Sequence, residues 1–445
     1  MIRKLVCTAV LALSIVPAYA GQVCNWQLEG GQISLATGPY ATKTYWGDTN
    51  NAYAYFTIAN PGSYIYRFKG NFPLARYMSL ESSVVIDSLL GLGVFEQESL
   101  VDVDDLADHE IELDDEGGVH PFRDGNPLAS ADRSFTVFAV PEGVPVPEGI
   151  DYDPRNVLDI PNGFSTFIAY RANSLNKKSI DNPGIPPFGP DITSLNKAAL
   201  PKIEAFDALT GIQVDCPSTL KGDVNYGEVP PPDLIDLLQF GRVALEQSYT
   251  KFEKRLAFPF MPTTVPVEGS AGIPSYLIGV TVQRPGNVAI IRFAKPSYLD
   301  TYSGARSNFT SSTDVRFWSL CALDASTSIV LACLPDWMSP GNPGAFVTLV
   351  YGPNDPQLKD KAKRLGWVYL EDRRLDPAML SFLSKLGVDT KEWAAKWQDE
   401  PIMFVYRQLK PSPSFLKNKF NKGAYVPKAR ICSRKEFLFG ICRIW

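Results

Sequence analysis

Residues 315–321 read VRFWSLC, and residues 75–81 read ARYMSLE. The phrase Arg-aromatic-x-Ser-Leu thus occurs twice, and its neighbours recur with it. NPGSYIYRF precedes the first copy, with Pro61-Gly62 and Arg67-Phe68; RPGNVAIIRF precedes the second, with Pro285-Gly286 and Arg292-Phe293. FSTFIAYR follows the first copy and IMFVYR the second, ending in Tyr170-Arg171 and Tyr406-Arg407. Arg76 and Arg171 are 95 residues apart, and Arg316 and Arg407 are 91 apart. Ordered matches at nearly equal spacing point to two copies of one domain of roughly 200 residues, an ordinary domain size. The period is far too long for a solenoid.

The segments around these phrases read as short strands. AYAYFTIA, SYIYRF, SFTVFAV, FSTFIAYR, SYLIGVTVQ, NVAIIRF, SIVLACL, AFVTLVYG and IMFVYRQL are rich in Val, Ile, Phe, Tyr and Thr and are punctuated by Gly and Pro. The 36 prolines disfavour a helical protein. The expected fold is therefore mainly β, with two tandem β-sandwich domains of the jelly-roll kind. Helices are expected late, in PQLKDKAKRLGW and DPAMLSFLSKLGVDTKEWAAKW. A connecting helix is expected between the copies, where Leu234, Leu237, Leu238, Gly241 and Leu245 share a helical face. The expected division is a signal peptide over 1–20, a first sandwich over 21–225, a linker helix and loop over 226–265, and a second sandwich with helical insertions over 266–445.

On a strand, side chains alternate between faces. Arg76, Met78 and Leu80 share one face, as do Arg316, Trp318 and Leu320. An Arg in line with two apolar residues is half buried and needs a carboxylate or carbonyl partner. The plain reading is a clamp that fixes a loop to the sheet. The sharper reading is the mouth of a cleft for an anionic or sugar ligand, and it gives Arg316, Trp318, Trp337, Arg407, Arg76 and Arg171 as candidate ligand-binding residues.

The N-terminus, MIRKLVCTAVLALSIVPAYAGQ, carries Arg3 and Lys4, an apolar run from Leu5 to Val16, and Ala18-Tyr19-Ala20. This is the pattern of a signal peptide cleaved before Gly21, and it predicts a secreted or periplasmic protein. No later stretch offers ~18 uninterrupted apolar residues, so no transmembrane segment is expected after cleavage. Without residues 1–20, 41 basic residues face 48 acidic ones, a net charge of −7. That argues against nucleic acid as a partner. An aromatic C-terminus also occurs in outer-membrane barrels, but the irregular Pro-rich runs here do not supply the long alternating strands that a barrel requires.

Six cysteines remain: Cys24, Cys216, Cys321, Cys333, Cys432 and Cys442. An even number in an exported chain reads as disulfides. CALDASTSIVLAC looks like a hairpin with its turn near Ser326-Thr327, which sets Cys321 opposite Cys333. Cys432 and Cys442 would close a short loop, leaving Cys24 for Cys216. No C-x-x-C is present and no His lies near a Cys, which disfavours zinc.

Some of these residues resemble a β-rich domain family of unknown function found in exported bacterial proteins. That family carries a Phe-Trp-Ser-Leu strand, then Asn-Trp-Leu-Pro, Gly-x-Phe and a strand bearing Arg. Phe317 to Leu320 is similar to the first element. NVLDIPNGFSTFIAYR is similar to the rest, with Asn156, Leu158, Pro161, Gly163, Phe164 and Arg171 in place but Val157 and Asp159 where the family has Trp and Pro. The second half has WQDEPIMFVYR instead. The resemblance implies a jelly-roll-like fold and export; it implies no activity.

The mature chain has two histidines, His109 and His120, and lacks H-E-x-x-H, G-x-S-x-G, P-loop and G-x-G-x-x-G motifs. A nucleophilic triad would have to use one of them. Both lie in VDVDDLADHEIELDDEGGVHPFRDGNP, whose acids run from Asp102 to Glu116. Asp102, Asp104, Asp105 and Asp108 are a weak calcium candidate whose spacing is not that of an EF-hand. The default is a solvated acidic face, with HEIELDD alternating as a strand. No cofactor is otherwise expected. Asp336 beside Trp337, after the disulfide hairpin, suits either sugar stacking or a packing corner. Taken together, the expected function is non-enzymatic binding of an envelope or extracellular ligand, a glycan among them, or of a protein. The alternative is a carboxylate hydrolase acting on a glycan or ester through Asp336 or the acids of Asp102 to Glu116.

Overall fold

The computed structural model describes residues 24, 26, 51–58, 61–73, 77–86, 99–123, 133–162, 166–173, 200–217, 257–258, 260–262, 275–282, 284, 286–298, 313–324, 330–377, 380–381, 384, 389–396, 401–420 and 422–442. The expected signal peptide, the linker helix at 233–245, Arg76 and the hairpin turn at 326–327 lie outside these residues.

The protein is mainly β, with four sheets. The first half holds β1 (Asn51–Ile58), β2 (Tyr64–Asn71), β3 (Tyr77–Ile86), β4 (Ser99–Ala107), β5 (Ser134–Pro141), β6 (Val157–Ile160), β7 (Thr166–Asn173), β8 (Lys202–Asp207) and β9 (Gln213–Val214). They form two sheets, ordered β1-β7-β3-β4 and β6-β5-β2-β8-β9. The second half holds β10 (Ala257–Phe258), β11 (Phe260–Pro262), β12 (Ser275–Val282), β13 (Asn287–Ala294), β14 (Phe317–Asp324), β15 (Val330–Pro335), β16 (Phe346–Gly352), β17 (Val368–Glu371), β18 (Pro401–Leu409) and β19 (Lys428–Ser433). Their sheets run β11-β12-β18-β14-β15 and β10-β19-β13-β16-β17.

The two plans are the same. β12-β18-β14-β15 repeats β1-β7-β3-β4, and β17-β16-β13-β19 repeats β6-β5-β2-β8. The register repeats as well: Ser79 faces Arg171 and Leu80 faces Tyr170, while Ser319 faces Arg407 and Leu320 faces Tyr406. Even the parallel edge pair, β5 with β6, recurs as β16 with β17. Both members depart from the all-antiparallel plan of a jelly roll, and each needs a crossover to reverse the chain. In the second half that crossover is helix α1 (Pro356–Arg364), which starts on an Asp355 cap with Pro at its first position and turns Leu358 and Ala362 inward. In the first half it is an irregular segment, 142–153, ending in a short turn at Pro154–Asn156.

In each half the two sheets close on one core, as alternating apolar residues require. Phe56, Phe68, Leu80, Val137, Ile168 and Tyr170 meet in the first; Ile291, Phe293, Trp318, Leu349, Phe404 and Tyr406 meet in the second. β14 is buried along its whole length. Its second face is covered too, partly by the Cys321–Cys333 bridge, with Leu323, Met403 and Val405 around it. The other bridges are Cys24–Cys216 and Cys432–Cys442.

Helices α2 (Thr390–Lys396), α3 (Pro413–Asn418) and α4 (Arg434–Leu438) follow. α2 falls in the second stretch expected to be helical. Ala257–Phe258 and Phe260–Pro262, which the sequence reading assigns to the linker, are strands paired with β19 and β12. The expected strand over HEIELDD is instead a run of turns and bends, because Glu110 and Ile111 fold back onto the Ala107 carbonyl. No helix among the described residues is long and apolar enough to cross a membrane.

Candidate functional site at the seam between the halves

The shared register makes specific residues equivalent. Ser79 faces Ala107 across β3 and β4, and Ser319 faces Pro335 across β14 and β15. The next residues, Asp108 and Asp336, therefore stand at matching positions, followed by His109 and Trp337. Both acids are buried. So the two acids singled out in separate contexts of the sequence belong to one repeated position.

Asp108 marks where the halves meet. Its carboxylate accepts two hydrogen bonds from the Arg316 guanidinium, Nε at 3.0 Å and Nη2 at 2.7 Å, and one from the Met78 amide at 3.0 Å. Burial alone would raise this carboxyl, but Arg316 and the neighbouring His109 outweigh it and hold the group below the usual range. Arg316 is itself buried, with the Tyr77 and Phe122 rings 5.8 Å from its guanidinium carbon. The Tyr77 and Phe317 rings stack alongside, and Ala107 and Leu409 complete a small apolar cluster.

A second ion cluster borders the first. Lys410 Nζ lies 2.8 Å from Asp105 and 2.9 Å from Glu110, and donates to the Asp105 carbonyl at 3.1 Å. Lys410 has φ 44°, the only non-glycine residue with positive φ among the described residues. An L-residue is strained there and must be held by its surroundings. Asp105 sits directly across the β3–β4 ladder from Glu81, where Cβ atoms are ~4.5–5.5 Å apart. Glu81 is held by Arg171 at 2.8 Å and by the Ser79 hydroxyl at 2.8 Å. Burial pushes the Asp105 carboxyl up to about 7; Lys410 opposes this, and Glu81 and Glu110 add to it.

The candidate ligand-binding residues are thus dispersed. Arg316 is engaged by Asp108 and Arg171 by Glu81. Trp318 is buried inside the second sandwich, against Phe293 and Tyr406. Arg407 lies on β18 opposite Ser319, one position along from Tyr406 and so on the other face from Trp318. Trp337 is half-buried in the turn after β15. Arg76 lies outside the described residues.

Of the four calcium candidates, Asp105 and Asp108 face lysine and arginine. Asp104 accepts from the Asp105 and Asp159 amides. No group of three or more His, Cys, Asp or Glu is placed to hold a metal among the described residues. His120 is buried, with Nε2 2.8 Å from the Ile111 carbonyl, while Nδ1 accepts from the Phe122 and Arg123 amides at 3.1 Å. Burial lowers its pKa, and a neutral ring satisfied on both nitrogens serves as a staple. Asn156 acts likewise, bonded to the backbone of Glu112 and Thr136.

Sequence reasoning missed Glu81, Tyr77 and Lys410. Glu81 was the findable one, since it ends the quoted ARYMSLE phrase one residue past the repeat. No family model matches the chain, and neither does any curated protein. The solved structures similar to it include two from bacteria. One is an uncharacterized protein from Burkholderia cenocepacia, 11% identical, covering 89% of this chain and 80% of its own at TM-score 0.49. The other is the VPA0106 protein from Vibrio parahaemolyticus, 9% identical, covering 86% and 89% at TM-score 0.38.

Proposed function

We propose that this is an exported, disulfide-bonded protein of the periplasm or cell exterior. On this reading, one sandwich was duplicated in tandem, and the protein binds a ligand or partner of the cell envelope without turning it over. The single observation that carries this reading is the closure of the seam. Arg316 with Asp108, Lys410 with Asp105 and Glu110, and Arg171 with Glu81 neutralise one another in place. The first two sets cross between the halves and hold them in fixed relation, and side chains so committed leave recognition to the outer surfaces. Three bridges joining all six mature cysteines suit an oxidising compartment. The test is binding of the purified mature protein to a glycan array and to fractionated envelope. Saturable binding to one class supports the reading, and none in either counts against it.

One observation favours a second reading, the carboxylate hydrolase. Glu81 and Asp105 are cross-strand neighbours, and Asp105 is held near neutrality, as a general acid requires. In this reading Asp105 protonates the leaving oxygen and Glu81 acts on the opposite side. Turnover of any glycan or ester that Asp105→Asn and Glu81→Gln both abolish, with the folded state retained, would replace binding by catalysis.

A further inference from the structure

Each sandwich has an outer sheet, remote from the seam, whose far face is covered differently in the two halves. In the first half, segment 142–153 and the turn after β8 lie over Ile65, Phe138, Val140 and Phe206. In the second half, α1, α4 and the turn after α4 lie over Val288, Ile290 and Val350. β8 and β19 are equivalent strands; a turn follows β8 directly, whereas α4 and then a turn follow β19.

Both turns expose large apolar side chains on a rigid frame. Leu209 is 89% exposed and Ile212 65%. Asp207 fixes their turn by accepting from the Leu209 amide, the Thr210 amide and the Thr210 hydroxyl, and Gly211 supplies φ 69°. A Cβ at Gly211 would lie 2.9 Å from Pro147, so the turn rests on segment 142–153. At the other end Phe439 is 77% exposed and Ile441 66%. Their turn is fixed by the Ser433–Glu436 capping box, by bonds from Phe439 to Lys435 and from Ile441 to Glu436, and by the Cys432–Cys442 bridge. Rigid, exposed apolar groups are what a contact surface needs, because little ordering cost remains on binding.

The surroundings of the two tips have opposite charge. Segments 142–153 and 207–215 contain six acidic residues and no Lys or Arg. Segments 354–367 and 434–442 contain six basic residues and three acidic. Glu142, Glu148 and Asp151 are exposed at one end, and Lys363, Arg364 and Lys435 at the other. The two tips do not cover each other within one molecule, since the apolar side chains of both are exposed.

We propose that the acidic Leu209–Ile212 tip of one molecule docks on the basic Phe439–Ile441 tip of a second copy, giving head-to-tail self-association. Such a contact is heterologous, so each added copy leaves one tip of each kind open and the assembly grows beyond a dimer, as a ring where the rotation closes and as a filament where it does not. Opposite charge around apolar contacts steers this pairing and opposes like-on-like docking.

The test is sedimentation velocity of the mature protein from ~10 μM to ~1 mM, the range in which small interfaces associate. At low salt the mean mass is expected to climb past that of a dimer, and at high salt the climb is expected to be several-fold smaller. Leu209→Ser with Ile212→Ser, and separately Phe439→Ser with Ile441→Ser, should each remain monomeric with unchanged melting. An equimolar mixture of the two variants should reach a dimer and stop, because one intact tip of each kind remains. A wild type that stays monomeric at low salt overturns the proposal, whether or not it sediments with lipid vesicles or binds a foreign protein. A mixture that stays monomeric overturns it as well. Should either variant melt early, the salt dependence of the wild type decides alone: a mean mass that does not fall with salt counts against docking between opposite charges.

Discussion

Tyr77 and Phe317 hold the same position in two copies of one strand pair, and they stack on each other, ring centroids 6.2 Å apart and planes 15° from parallel. Matched positions thus meet where the two halves join. The contact is buried and apolar, with Ala107 and Leu409 at its edge. Truncating either ring to Ala is expected to cost ~3–5 kcal/mol. The double variant should cost less than the sum by ~0.5–1.5 kcal/mol, the usual worth of an aromatic pair. Urea titration of the four proteins measures this; strict additivity would mean that the rings do not support each other.

Arg316 and Asp108 give a sharper expectation. Removing one partner of a buried bidentate pair leaves a charge without its counter-ion, which costs ~3–5 kcal/mol. Arg316→Met and Asp108→Asn should each lower the urea midpoint strongly, while Arg316→Met combined with Asp108→Leu should recover much of the loss. Asp336, equally buried at the equivalent position, should be as sensitive to Asn as Asp108 is. Because the Asp108 carboxyl is held below its ordinary value, the stability it contributes is present above pH ~4 and is lost as pH falls through the lowered value. A double variant no more stable than either single one would show that the pair is not the coupling unit.

How much of this was legible beforehand follows from what each signal depends on. The strands were readable because period-two alternation and Gly-Pro punctuation are local, and β13 and β16 begin within a residue or so of the sequence reading. The Cys321–Cys333 pairing was readable because a hairpin fixes its own register, and the two do face each other. That Arg316 needs a carboxylate was readable from its apolar company. Which carboxylate was not, since Asp108 is 208 residues away and is brought there by the packing of two sandwiches. HEIELDD misled for a related reason: its alternation is real, but hydrogen bonds back to Ala107 turn the chain out of the sheet.

The disulfides should differ in worth. Cys24–Cys216 spans 192 residues and Cys321–Cys333 spans 12. In the chain-entropy account, the first restricts the unfolded chain by ~5 kcal/mol and the second by ~3 kcal/mol. Paired Cys→Ser variants compared by urea unfolding should keep that order. The reverse order would mean that the hairpin bridge acts through packing against Met403 and Val405 rather than through chain entropy.

Asp105 supplies a pH dependence of opposite sign to that of Asp108. Burial raises its carboxyl to about 7, Lys410 opposes this, and Glu81 and Glu110 reinforce it. The unfolded group titrates at ~3.9. Between these values the folded chain holds a proton that the unfolded chain releases, so this group's contribution is greatest below pH ~4 and falls as pH rises towards 7. Lys410 stays charged throughout, because Asp105 and Glu110 outweigh the burial that would lower its pKa. Asp105→Asn removes the titration while retaining a polar group beside Lys410. Relative to wild type, the variant should therefore gain stability from pH 5 to about pH 7 and level off by pH 8. The measurement is the urea midpoint of both proteins across that range. A difference that stays flat, or that moves in favour of wild type as pH rises, would mean that Lys410 keeps Asp105 ionised and that the charge at this point of the seam does not change near neutrality.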